Sequence, residues 1–467
     1  MARRAPVTRR GILASGSAAL LLPHPAMAAP DASEIRRWLS MRIDAQKRGT
    51  GMVVGLTERG RRQVVAHGSL ARDGRARVDA RTVFDVGSIT KVFVALVLAD
   101  MTLKGEVALD APVDRYLPAV RVPAYDGRRI TLADLATHTA GFPLRPTNLV
   151  STNANDAYAG YTLALLDAFV EGFASARAPG SAYEYSNVGY GLLGQALEAR
   201  AGLSLAELIR RRVTGPLGLG DTAYTPTTQM AARFARGYLA DLVPAPPWHE
   251  DPLTGTGGLL STADDLLTFL EACLGWRETS LAPALKMLTE VERPGGMQPA
   301  SAIGLGWNIL RTGSREIVWK NGSVDGFRAF AGYDKTTGLG ATALINGSSA
   351  LGADDIGLHL LGADFPVDLQ RPRVRREIAI DGRKLDRLVG RYSYSDGVIS
   401  FLRDGDRLVG LQESNGQRFD LFPESDHRFF LKVVDADVVF LPGRGDQQAT
   451  EAVWTQNGQA ERGKRLP

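Results

Sequence analysis

The sequence predicts a mixed α/β chain, α+β in arrangement, with a small all-β domain after it. Three observations predict this. Extended runs rich in β-branched residues lie between 51 and 67 and again between 304 and 345. Residues 104–275 between them read as helices broken by glycine and proline turns. Past residue 377 the pattern changes to short strands separated by turns. Strands from both ends of one unit make a single antiparallel sheet and leave the middle as an all-helical subdomain. The chain accordingly divides into a signal peptide (1–28), a sheet-and-helix domain (29–365), a linker (366–376) and an all-β barrel (377–467).

Taken in order, residues 33–46 place Ile35, Leu39 and Ile43 at helical spacing, an amphipathic helix. Extended runs at 51–56 and 63–67 are joined by Thr57-Glu58-Arg59-Gly60 into a hairpin. Phe84-Asp85-Val86-Gly87-Ser88-Ile89-Thr90-Lys91 then leads into Val92–Ala99, which is apolar on every face and too long for a typical strand. It reads as a buried helix starting at Gly87-Ser88. Leu132–His138 is a helix stopped by Thr139-Ala140-Gly141, with Pro143 behind it. From there to Tyr158 the chain is polar and irregular, a loop suited to flank a site. Helices follow at 188–201 and 204–213, the second closed by Gly215-Pro216-Leu217-Gly218. Residues 242–252, with four prolines, form a loop, and Ser261 is expected to cap the helix that begins near Thr262-Ala263-Asp264. Strands are expected at 304–310, 316–319, 327–333 and 339–345, and a closing helix at 357–361. Residues 366–376, with Pro366, Pro372 and four arginines, read as a linker. The short strands beyond it (388–394, 398–403, 407–412, 428–433, 438–441) make a barrel or sandwich.

The N-terminus is an address. Arg3, Arg4, Arg9 and Arg10 precede an apolar stretch from Gly11 to Leu22, no acid occurs before Asp31, and Ala26-Met27-Ala28 offers a small-residue cleavage site. Thr8-Arg9-Arg10-Gly11-Ile12-Leu13 resembles a bacterial twin-arginine signal, which places the mature chain in the periplasm or outside the cell. An ordinary secretory signal is the alternative; the run is too short to span a membrane, and no later segment is long enough. Cys273 is the only cysteine, so no internal disulfide holds the fold. A net charge of +4 is small for 467 residues, and basic residues do not cluster with aromatics, so no nucleic-acid partner is expected. The six histidines have no metal-ligand spacing and no HExxH occurs, so neither a metal nor another cofactor is expected.

Chemistry centres on Ser88 and Lys91. Residues three apart on a helix share a face, so the ammonium comes within reach of the hydroxyl. Serine is a poor nucleophile until a base takes its proton, and lysine serves only when burial or a second cation lowers its pKa. A first-turn lysine on a buried helix meets the first condition, and the helix N-terminus favours the alkoxide. Alone, the pair also reads as a helix cap followed by a solvent-reaching lysine. Two further patterns decide between these readings: Tyr183-Glu184-Tyr185-Ser186-Asn187 before a buried helix, and Trp319-Lys320-Asn321-Gly322-Ser323 at the end of a predicted strand. Individually, Tyr185 could be a core aromatic, Asn187 a helix cap and Lys320 a sheet-edge guard. Jointly and in this order they form Ser-x-x-Lys, Tyr-x-Asn and Lys-x-Gly. His138 is read as a turn residue, Glu184 as a solvated charge, and Asp264-Asp265 as helix-start acids.

That order resembles the penicillin-recognising serine hydrolases, and within them the class C β-lactamases, the D-alanyl-D-alanine peptidases of the AmpH type and the family VIII esterases. The stretches 130–141, 185–190 and 257–265 support the likeness, which covers about residues 31–365. The resemblance implies a β-lactamase/transpeptidase-like sheet with a helical subdomain, and a lipocalin-like C-terminal barrel is expected after it. By the same resemblance Ser88 is the nucleophile, Lys91 its base or proton-sharing partner, and Tyr185 the group that passes the proton to the leaving amine. Asn187 binds the substrate's amide and Lys320 its carboxylate, with Asn321 and Gly322 completing the substrate-binding strand. Backbone N–H groups of Ser88 and Ser323 form the oxyanion hole. Which of Lys91 and Tyr185 is the primary base is coupled and stays open at this point. The implied substrate is a small molecule or a peptidoglycan-derived peptide, either a β-lactam or a D-alanyl-D-alanine peptide. An ester is the alternative, and a non-turnover penicillin-binding sensor is a third reading. One departure stands out: Asn321 occupies a position where such relatives commonly have threonine or serine, whose hydroxyl helps hold the substrate carboxylate.

Overall fold

The computed structural model describes residues 31–59, 61–150, 158–239, 242–246, 252–348, 352–369, 375–394, 397–413, 417–431, 436–443, 448–456 and 459–467. The expected signal peptide, residues 151–157 of the expected site loop and two of the linker's four arginines, Arg371 and Arg373, lie outside them.

The first helix, α1 (Ala32–Ser40), is capped by Asp31 and runs on as a π-helical turn, Met41–Ala45. Strands β1 (Gly51–Glu58) and β2 (Arg61–Gly68) form the expected hairpin with a shorter turn than predicted. The short strand β3 (Phe84–Asp85) precedes a 3₁₀ turn, Gly87–Ile89, and α2 (Thr90–Leu103). A small ribbon, β4 (Ala124–Tyr125) with β5 (Arg128–Arg129), leads to α3 (Leu132–Ala136), whose start is a reciprocal Thr131–Asp134 capping box. The helical middle continues with α4 (Leu163–Gly172), α5 (Asn187–Ala201), α6 (Leu205–Ile209), α7 (Gly215–Leu217) and α8 (Thr228–Ala231). Strand β6 (Leu260–Ser261) pairs with β3 and opens into α9 (Ala263–Cys273) and α10 (Ala282–Glu290).

The chain then returns to the sheet: β7 (Arg293–Pro294), β8 (Ala302–Ile303), β9 (Asn308–Thr312), β10 (Arg315–Val324), β11 (Phe327–Asp334) and β12 (Leu339–Ile345), closed by α11 (Asp354–Leu360). Together they make one eight-stranded antiparallel sheet in the order β2-β1-β12-β11-β10-β9-β8-β7, so both ends of the domain build it as predicted. Strand alternation sends successive side chains to opposite faces. Val318 joins the large core with α2, α5, α9 and α10, whereas Ile317 and Trp319 join the second core with α1 and α11. Helix α2 lies within the large core, with Val92–Ala99 wholly buried, which is why its sequence lacks a polar stripe.

After α12 (Gly382–Asp386), strands β13 (Gly390–Tyr394), β14 (Gly397–Asp404), β15 (Arg407–Gln412), β16 (Gln417–Pro423), β17 (Arg428–Phe430), β18 (Ala436–Leu441), β19 (Glu451–Gln456) and β20 (Gln459–Arg465) close an antiparallel barrel. Closure removes the unpaired edges that a sandwich would keep. Tyr392, Phe401, Leu408, Phe429 and Phe440 pack together as its core.

Several expectations are corrected. The cap of α9 is Thr262, whose side chain accepts from Asp265 N, while Ser261 sits in β6 and shares a hydrogen bond with Thr222. The helix from Ser204 passes through a π-helical turn, Arg210–Thr214, and stops only at Gly218, which takes the left-handed conformation. The strand expected at 304–310 begins only at Asn308, because Gly304–Trp307 turns between β8 and β9. Strand β10 continues to Val324, so Lys320-Asn321-Gly322-Ser323 lies inside a strand and not at its end. Its neighbour β9 pairs with it only as far as Trp319. No helix among the described residues is long and apolar enough to cross a membrane.

Candidate active site

Ser88 sits in the 3₁₀ turn ahead of α2, half-buried, where backbone N–H groups have no intrahelical partner. The turn is set by Gly87, which has φ +49 and donates its N–H to Asp85 Oδ1 at 2.8 Å. One helical turn later Lys91, fully buried, donates to Ser88 Oγ at 3.1 Å and to the Thr256 carbonyl at 2.8 Å. Thr256 belongs to the segment running into β6, which is tied to α2 where Leu259 N donates to Thr90 Oγ1. The sequence reading assigned no role to Thr256, because a backbone carbonyl leaves no signal in a side-chain motif.

Tyr185 donates to the same Ser88 oxygen at 2.7 Å. Its loop is held by His138, which has φ +56, as suits the predicted turn. The His138 carbonyl accepts from Glu184 N at 2.8 Å and its Nδ1 accepts from Ser186 N at 3.1 Å. Its ring lies 4.5 Å from that of Tyr185. Burial, then the charges of Lys91 and Lys320, push the imidazole well below its ordinary pKa, so it is a neutral shelf. Sequence reading gave His138 the turn but missed the shelf. Glu184, read as a solvated charge, pairs with Arg177. Asn187 is the first residue of α5 and not its cap; Ser186 caps, accepting from Gly189 N at 2.9 Å. The Asn187 Nδ2 reaches the Tyr158 hydroxyl at 3.5 Å, and its Oδ1 is buried with no hydrogen-bond partner among the described residues. A buried acceptor left open in this way is costly unless a ligand N–H meets it.

Lys320 projects from β10 on the Val318 face, toward α2, and is 1% exposed. Its ammonium lies 4.9 Å from the centre of the Tyr185 ring, and that of Lys91 lies 5.0 Å from the same point. Ser88, Lys91, Tyr185 and Lys320 therefore occupy one crevice. Two ammonium groups over one phenol favour its anionic form. Asn321 points to the other face, where its Nδ2 donates to Asp354 Oδ2 at 2.6 Å at the start of α11. The amide expected to serve the substrate is thus committed to a carboxylate.

Gly322 brings β10 against the Ser88 turn. A Cβ there would lie 1.8 Å from the Val86 carbonyl oxygen and 3.1 Å from Ser88 N, and one on Gly87 would lie 2.7 Å from Ser323 N. Ser323 stands opposite Arg328, one step from the Val324–Phe327 pair that closes the hairpin. Hydrogen-bonded pairs alternate along an antiparallel ladder, so the Ser323 N–H points away from β11 and toward the Ser88 turn. The backbone at Ser323 thereby lies against the turn that carries Ser88.

Burial lowers the Lys320 pKa to about 8, against the pull of Asp354. Its charge is present below that pH and lost above it. We expect turnover to carry an alkaline limb centred near pH 8, and Lys320→Arg, whose guanidinium does not titrate there, to abolish that limb even at reduced rate. A kcat/KM profile from pH 6 to 10 checks this.

A family model described as Beta-lactamase matches residues 35–364. The D-alanyl-D-alanine-carboxypeptidase/endopeptidase AmpH of Escherichia coli (strain K12) is 28% identical over 320 residues, covering 64% of this chain and 80% of its own. The class C β-lactamase structure from Rhodobacter sphaeroides superposes with a TM-score of 0.57 at 25% identity, over 68% of this chain and 94% of that one. The octameric penicillin-binding protein homologue from Pyrococcus abyssi has a TM-score of 0.61 at 22% identity and covers 93% of this chain and all (100%) of that one, so its likeness in fold extends into the barrel.

Proposed function

The chain belongs to the beta-lactamase family, and from that premise we propose that it is an exported serine hydrolase that acylates Ser88 and then hydrolyses the acyl-enzyme. The observation that carries this reading is the convergence of Lys91 Nζ (3.1 Å) and Tyr185 Oη (2.7 Å) on Ser88 Oγ. The Ser88 oxygen attacks the acyl carbon, its proton enters the Lys91–Tyr185 pair, and the same pair protonates the departing nitrogen as the C–N bond breaks. Water then attacks the ester by the reverse route. The N–H groups of Ser88 and Ser323 hold the oxyanion in both steps. Asn187 takes the substrate's amide, and Lys320 supplies positive charge to Tyr185 and the incoming acyl donor. Residues 29–365 carry this chemistry, and the twin-arginine segment delivers the chain to the periplasm.

Relatives named for D-alanyl-D-alanine peptidase and β-lactamase activity support amide substrates, either β-lactams or D-alanyl-D-alanine peptides. The Asn321–Asp354 bond favours a second reading, an ester hydrolase using the same residues. Mass spectrometry after exposure to benzylpenicillin tests the first. The expected result is a single adduct of the intact β-lactam mass on the peptide containing Ser88, decaying as the ester hydrolyses. An unmodified Ser88, or an adduct elsewhere, overturns it.

A further inference from the structure

Asn321 lies between two charges. Its Oδ1 accepts from Lys320 Nζ at 3.5 Å, and its Nδ2 donates to Asp354 at 2.6 Å. An ionised carboxylate only accepts hydrogen bonds, so the amide must turn its NH₂ to Asp354 and its oxygen to Lys320. Strand alternation makes this arrangement possible: Asn321 faces α11, and only the flexible Lys320 stem brings the ammonium back to it. A hydroxyl at this position could donate to a bound anion. Here the group nearest the ammonium is an acceptor with a carboxylate behind it.

We infer that Asp354 is a specificity-setting positioning residue: acting through Asn321, it makes the crevice favour acyl donors bearing an ester or amide where a free carboxylate would otherwise meet Lys320. The inference rests on the hydrolase reading above and narrows its substrate class. An incoming carboxylate would share the Lys320 ammonium with Asn321 Oδ1 and meet the negative charge of Asp354 behind that amide, where like charges repel. The groups that face Asp354 are Lys320 on β10, Arg328 on β11 and its own neighbour Asp355. Arg328 already donates to the carbonyls of Val324, Phe327 and Ser348, so it is engaged in holding the hairpin. Burial raises the Asp354 pKa to about 6, and the group remains charged at neutral pH.

The test compares Ser88 acylation by benzylpenicillin, a carboxylate, and by its neutral methyl ester, each rate divided by that compound's own alkaline hydrolysis rate. At pH 7.5 the wild type is expected to favour the ester by about tenfold or more. In Asp354→Asn, and independently in Asn321→Thr, the acid-to-ester ratio is expected to rise about tenfold. Melting curves identify which variant is folded. A merely structural role would lower both rates together and leave the ratio fixed. A wild type that favours the acid, or a ratio unmoved in a folded variant, overturns the inference while leaving the hydrolase reading in place. Failure of both compounds to modify Ser88 overturns the hydrolase reading and this inference with it.

Discussion

Ser88→Ala is expected to lower turnover by at least about 10⁴-fold while shifting the melting temperature by less than about 3 °C. The first figure follows from convergence: Lys91 and Tyr185 both direct their hydrogen bonds at one oxygen, that of Ser88. Residues acting as one unit lose nearly everything when the nucleophile goes. The second follows from what remains. Lys91 keeps the Thr256 carbonyl, Tyr185 keeps the His138 ring, and the removed oxygen was half-buried. Loss of one such hydrogen-bonding atom costs about 0.5–1.5 kcal/mol. A variant that turns over at the parent rate would take Ser88 out of its role. A collapse in melting temperature would show that the crevice is held by its reacting atoms and not by the elements around it.

Much of the site was legible because it is written in local spacing. Ser88 and Lys91 meet through helical periodicity, and the apolar run after them had to be buried. Tyr185, Asn187 and Lys320 were found through short motifs flanked by strong helix and strand patterns. What stayed hidden was assembled across long sequence separations. His138 holds the Tyr185 loop from 48 residues away, and the Thr256 carbonyl meets Lys91 from 165 residues away. Asp354 was invisible because its partner, Asn321, looked like a weakened substrate contact; only the strand's register shows that this side chain faces α11. Among element ends, Ser261 and Thr262 were chemically equivalent caps, and the choice fell to Thr262 because β6 pairs through Ser261 with Phe84. The π-helical turn at Arg210–Thr214 has no composition of its own that would announce it.

Gly322→Ala leaves every reacting side chain untouched, yet it is expected to slow Ser88 acylation by about 10²–10³-fold. A Cβ at this position would stand 1.8 Å from the Val86 carbonyl oxygen, a distance that no relaxation of a flexible side chain can relieve because both groups are backbone. Val86 cannot simply rotate away. Its carbonyl accepts from Ile89 N at 3.1 Å and its N–H donates to Leu259 at 3.0 Å, which holds the turn to the segment before β6. The remaining movement is separation of β10 from the Ser88 turn by more than an ångström. That separation draws the Ser323 N–H away from the Ser88 N–H and dismantles the pair aimed at the oxyanion, while Lys91 and Tyr185 stay on Ser88. The overpacked variant should also lose about 1–3 kcal/mol of stability, so acylation is to be timed well below its melting point. The expected outcome is the same Ser88 adduct formed far more slowly. Acylation within threefold of the wild-type rate would mean that the two N–H groups do not share an oxyanion, and that charge from Lys320 and Lys91 alone carries the developing negative oxygen.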